Sequence, residues 1–75
     1  LMALRLLGYM VRVWERYVGE EPQARQLPPI VPFVLHQSAR VWTAPRNFAD
    51  LIEGGREDAG LPPFTPDFRY DLLDL

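Results

Sequence analysis

The run Leu4-Arg5-Leu6-Leu7-Gly8-Tyr9-Met10-Val11-Arg12-Val13-Trp14-Glu15-Arg16-Tyr17-Val18 decides the fold. Leu4, Leu7, Val11, Trp14 and Val18 recur at spacings of three and four. Ala3, Leu6, Met10, Val13 and Tyr17 repeat the same rhythm one residue earlier. Spacings of this kind line up along one side of a 3.6-residue helix, so the pattern predicts a helix over residues 2–19 with two apolar stripes. Its polar face is narrow: Arg5, Gly8, Arg12, Glu15, Arg16 and Gly19. Gly19 and Pro22 stop it. A helix that is apolar round more than half its circumference is normally enclosed from two sides. The rest of the chain can cover one stripe. The other is expected to meet a second copy of the chain, or sequence outside these 75 residues.

Working outward, Ile30 to Leu35 is a short apolar run with β-branched and aromatic members and flanking prolines, which reads as a buried strand. Pro32 inside it has no N–H to give a ladder and points to an edge or a bulge. Gln37 to Arg46 reads as a loop. Asn47 is placed to cap a short helix through Glu53, with Asp50 near its positive end and Gly54 at its close. Residues 54–66 are rich in Gly and Pro, and Leu61-Pro62-Pro63-Phe64-Thr65-Pro66 suits extended polyproline. Phe68, Tyr70 and Leu72 then alternate with Arg69 and Asp71, which predicts a strand over about 67–74. The order is helix, strand, short helix, strand: one α/β unit over residues 1–75.

Seventy-five residues bury only about 60% of the surface their unfolded chain exposes, so one small core is all that is available. Cysteine is absent and His36 is the one histidine. A disulfide framework is therefore excluded, and a structural zinc site, which takes about four Cys or His ligands, is not supported. The net charge of −2 gives no general attraction to polyanions, although all eight basic residues are arginine. No signal peptide pattern is present and no apolar run approaches the ~20 residues that span a bilayer. A cytoplasmic location is expected. The chain opens inside a helical pattern and stops in an apolar stretch, so it reads as a piece of a longer protein.

No complete catalytic motif is visible. Ser38 follows His36 by two residues, which is poor geometry for a nucleophile and its base, and no acid is placed to orient the histidine. Glu20-Glu21 and Glu57-Asp58 read as solvated loop pairs. Gly54-Gly55 lacks the setting of a phosphate-binding loop. One cluster carries a chemical suggestion. Arg5, Tyr9 and Arg12 lie at i, i+4 and i+7 and so share a helix face. Two guanidiniums flanking a phenol can hold phosphate, since each presents a planar fork of donors. Read without that ligand, the same residues are a solvated stripe with Tyr9 at its border.

Leu4 to Tyr17, followed by Leu27-Pro28-Pro29-Ile30-Val31-Pro32-Phe33-Val34-Leu35, resembles a helix and the next strand of the YhgA-like transposases. These are also described as Rpn recombination-promoting nucleases of the PD-(D/E)XK group. Trp42-Thr43-Ala44-Pro45-Arg46 with Phe48-Ala49-Asp50-Leu51 is similar to that family's next loop and helix. Pro66-Asp67-Phe68-Arg69-Tyr70 through Leu75 is similar to its following strand. The resemblance implies the C-terminal part of a restriction-endonuclease-like domain, a mixed sheet flanked by helices, which acts on DNA with Mg²⁺. It also implies that the metal-binding acids and a Glu-x-Gln motif precede Leu1, leaving no catalytic or metal-binding residue and no cofactor in this chain. Gly8, His36-Gln37-Ser38 and Asp71 depart from the family pattern. The resemblance thus makes DNA the expected partner, with Arg5, Tyr9 and Arg12 as candidate phosphate contacts. The alternative is a non-catalytic interaction domain, or an inactive family copy, that self-associates as a homo-oligomer through its first helix.

Overall fold

The computed structural model describes residues 1–55 and 62–75. Helix α1 (Met2–Glu20) runs for 19 residues, passing Gly19 to end one residue beyond the expected 2–19. No side chain caps its start, and the Arg5 N–H donates to the Leu1 carbonyl at 3.2 Å. At its end the Glu21 N–H reaches the Tyr17 carbonyl at 2.8 Å. Pro22 has no N–H with which to extend the ladder. The chain then turns back along the helix, where the Trp14 indole Nε1 donates to the Pro28 carbonyl at 2.8 Å.

Strand β1 (Phe33–His36) pairs in parallel with β2 (Asp71–Asp74). Phe33 stands opposite Asp71, Val34 opposite Leu72, Leu35 opposite Leu73 and His36 opposite Asp74. The α/β class therefore holds. The first strand begins at Phe33 rather than at Ile30. Pro32 is the reason: lacking an N–H, it takes part only as an acceptor, its carbonyl receiving the Asp71 N–H at 3.0 Å. The Leu75 N–H closes the other end on the His36 carbonyl at 2.9 Å.

The last strand likewise starts at Asp71 rather than at 67. Residues 68–70 are extended but serve a different neighbour. The Phe48 N–H donates to the Phe68 carbonyl at 2.9 Å and the Tyr70 N–H to the Arg46 carbonyl at 3.1 Å, an antiparallel bridge between Asn47 and Arg69. One extended run thus pairs first with residues 46–48 and then with β1. Its alternation is as expected: Tyr70 is buried, Phe68 and Leu72 are half-buried, and Arg69 and Asp71 are exposed.

The short helix is a 3-10 turn over Phe48–Leu51, not a helix reaching Glu53. Asn47 occupies the cap position but its side chain makes no capping bond. The acceptor is instead Asp67, whose Oδ1 receives the Ala49 N–H at 3.0 Å. Gly54 follows with φ 67°, a left-handed conformation that glycine adopts without a Cβ clash. Pro62–Phe64 is also a 3-10 turn, closed by the Thr65 N–H on the Pro62 carbonyl at 3.3 Å, and not polyproline. Proline's fixed φ near −65° suits both conformations, so composition did not separate them. Leu61 and the Glu57-Asp58 pair lie outside the described residues.

The core gathers Ala3 of α1, Phe48 and Tyr70, with Met2, Leu6, Leu7, Val34, Trp42, Leu51 and Phe68 packed round them. Phe48 and Phe68 stack with centroids 5.7 Å apart. Leu4, Val11 and Val18, on the stripe of α1 that also holds Leu7 and Trp14, stay exposed, as do Phe33, Leu35 and Leu73 on the outer face of the sheet. The molecule is a slab of 45 × 36 × 15 Å. Its radius of gyration is 14.9 Å, against about 11 Å for a closed domain of this length.

Gly55 ties the short helix to the loop beyond it. It is buried, and a Cβ there would lie 2.8 Å from the Ala49 carbonyl oxygen and 3.1 Å from the Ile52 Cβ. Gly55→Ala is expected to lower stability by about 1–3 kcal/mol, as crowding of a packed site does. Urea unfolding checks it, and an unchanged midpoint would show that residues 52–55 are not held against this turn.

Candidate nucleic-acid interface

The outward face of α1 carries Arg5, Tyr9, Arg12 and Arg16, all exposed. Their spacings of four, three and four residues place them in one stripe. Arg5 and Arg12 stand about 10 Å apart along the axis at 1.5 Å per residue. The Arg12 guanidinium carbon lies 5.8 Å from the centroid of the Tyr9 ring. In that position the ring face holds the cation while its planar fork of N–H donors remains available to an anion. Among the described residues no carboxylate pairs with Arg5 or Arg12. Arg16 is different: its Nε donates to Glu20 Oε1 at 3.2 Å, an exposed i, i+4 pair. Arg16 continues the stripe by one turn; the same periodicity that picked out Arg5, Tyr9 and Arg12 also reaches it.

A second polar group surrounds β1's end. His36 Nε2 lies 2.8 Å from the Arg40 carbonyl, and the imidazole meets Trp42 edge-on at 5.1 Å. Ser38 Oγ accepts the Arg40 N–H at 3.1 Å, so the serine shapes the loop and does not engage the histidine. Trp42 Nε1 donates to the Tyr70 hydroxyl at 3.1 Å, and that hydroxyl donates to the Pro45 carbonyl at 2.8 Å. This chain of contacts is structural: it fixes loop 37–46 on the core. The residue types were visible in the sequence, but their meeting required the fold, since Trp42 and Tyr70 are separated by 28 positions.

A divalent ion in a nuclease needs several oxygen donors on one point. Among the described residues no three His, Cys, Asp or Glu side chains gather in that way. The described residues therefore do not fit a resident metal.

Compared with known families, residues 1–75 match the family described as "Putative transposase, YhgA-like" over the whole length. The chain belongs to the YhgA-like transposase family. No curated protein and no solved structure matches it. For a YhgA-like transposase, DNA interaction is the property that the family suggests. No helix among the described residues is long and apolar enough to cross a membrane.

The Tyr70 hydroxyl supplies a direct check of the loop's anchorage. Tyr70→Phe leaves the Trp42 N–H and the Pro45 carbonyl without their partner in a part-buried site, which costs on the order of 1–3 kcal/mol. Chemical denaturation followed by tryptophan fluorescence should show the drop. A variant as stable as the wild type would mean that water replaces the hydroxyl freely.

Proposed function

We propose that this chain is part of a DNA-processing protein of the transposase type and meets DNA through Arg5, Tyr9 and Arg12 of α1. One observation carries the reading: the arginines project from a rigid helix on an exposed face, with Arg12 laid on Tyr9. Because the net charge is −2, attraction to DNA is local to this stripe and not a property of the whole surface. Contacts of this kind position a backbone and carry no base sequence. The fuller form of the reading is a restriction-endonuclease-like domain with Mg²⁺-dependent cleavage. Its metal-binding acids would stand outside these 75 residues, so the chain would supply phosphate contacts and scaffold, and not the reacting site.

A second reading has its own support. The exposed strip of Leu4, Val11 and Val18 favours a self-associating module, which accompanies DNA contact or, in a non-catalytic copy, replaces it.

Fluorescence anisotropy with duplex DNA across a salt series tests the first reading. The wild-type chain should bind with an affinity that falls as salt rises. Arg5→Ala/Arg12→Ala should bind more weakly, with the log–log salt slope shallower by about 2, one counterion for each lost phosphate contact. In the same buffers with Mg²⁺, plasmid DNA should remain intact. Equal slopes and affinities for the two proteins would remove the phosphate role, and cleavage by pure chain would place the chemistry within it.

A further inference from the structure

The surface of this chain is too large for its mass. It exposes 6170 Å² at 8.7 kDa, against about 4,700 Å² for a closed monomer of that size, an excess of about 1,400 Å². A stable dimer covers about 800 Å² on each partner, so a surplus of this size is sufficient for one. The apolar part of it with a defined shape lies along α1. Val11, Trp14, Glu15, Val18, Gly19 and Leu27 line an open groove of about 590 Å³. Leu4 extends the same line toward the helix start. Leu4, Val11 and Val18 are spaced by seven, with Leu7 and Trp14 three residues after the first two, which is the seam of a helix that packs on another helix. Leu7 packs on the core and Trp14 on Pro28, whereas Leu4 is 50% exposed, Val11 39% and Val18 44%, so these three positions of the seam have no partner in this chain.

We propose that α1 pairs with α1 of a second copy in antiparallel fashion about a two-fold axis at Val11. This refines the self-association just described and needs nothing from DNA binding. Charge selects the direction. Arg5 lies toward the start of the helix and Glu15, Glu20 and Glu21 toward its end. A parallel pair sets the acidic ends, Glu15, Glu20 and Glu21, side by side, whereas an antiparallel pair sets each acidic end beside the start of the other helix and also opposes the helix dipoles. With Val11 on the axis, Leu4 meets Val18 of the second copy. Gly8 falls opposite Trp14 of the second copy; a Cβ at Gly8 would meet nothing within 4 Å in the single chain. Glu15, on the groove wall, then lies about 3 Å along the axis from Arg5 of the second copy at 1.5 Å per residue. The far end of the groove, at Val18, Gly19 and Leu27, takes the first turn of the partner helix.

Sedimentation equilibrium of the 75-residue chain at tens of micromolar, without DNA, tests this. Wild type should sediment at twice 8.7 kDa. Val11→Arg sets two guanidiniums on the axis and should give a monomer with unchanged helical circular dichroism. Arg5→Glu and Glu15→Arg should each weaken association about tenfold, as like charges across an interface do, and the double exchange Arg5→Glu/Glu15→Arg should restore it to within about threefold. A monomeric wild type would remove self-association altogether. A dimer indifferent to Val11→Arg but lost in Leu35→Asp would place the contact on the outer sheet face. Single exchanges that weaken association without recovery in the double would overturn the antiparallel register while leaving self-association standing.

Discussion

Tyr70 holds the chain together. Its ring is wholly buried beside Ala3 and Phe48, its N–H donates to the Arg46 carbonyl, and its hydroxyl donates to Pro45 and accepts from Trp42. One residue later the same extended run enters the parallel pairing with β1. Tyr70 therefore joins α1, the loop 37–46, the short helix and the two-stranded sheet. A parallel pair of four-residue strands has little stability alone, and parallel sheets persist where their faces are covered. Here the Tyr70 cluster, which Ala3 of α1 joins, packs on Val34 at one face, while Phe33, Leu35 and Leu73 leave the other open.

The constraint behind this arrangement is size. A chain of 75 residues can enclose only one small core, so much of its apolar surface stays outside it. Among the described residues the buried apolar side chains are accordingly few: Ala3, Met10, Phe48, Ala49 and Tyr70. Everything that the α1 stripe and the seam offer to a partner follows from that economy, because residues not needed in the core are held rigidly outward by the same helix.

Much of this was legible in the sequence, and the reasons differ by element. The α1 rhythm persists over five turns, so tertiary forces had little to override. The alternation of Phe68, Tyr70 and Leu72 gave the correct inward face, since period two needs no knowledge of the partner strand. The strand starts were not legible. Pro32 and the antiparallel bridge at Arg69 shorten both strands, and the bridge depends on residues 46–48, far away in sequence. The cap of the short helix was assigned to Asn47 because capping is usually local, and the fold used Asp67, 18 positions from Ala49. Arg5, Tyr9 and Arg12 were found by spacing alone; Arg16 shares that spacing, and its tie to Glu20 became visible only with the side chains placed.

Native-state hydrogen exchange by NMR tests the central role of Tyr70 most directly. Its own amide, with those of Phe48, Asp71 and Leu75, makes the bonds that join residues 46–48, β1 and β2. These four amides should exchange through one common opening, and more slowly than the last turn of α1, because regions that unfold together share one protection free energy. Rapid exchange of Tyr70 and Asp71, with protection confined to α1, would show that the helix folds without the Tyr70 cluster and would contradict this account.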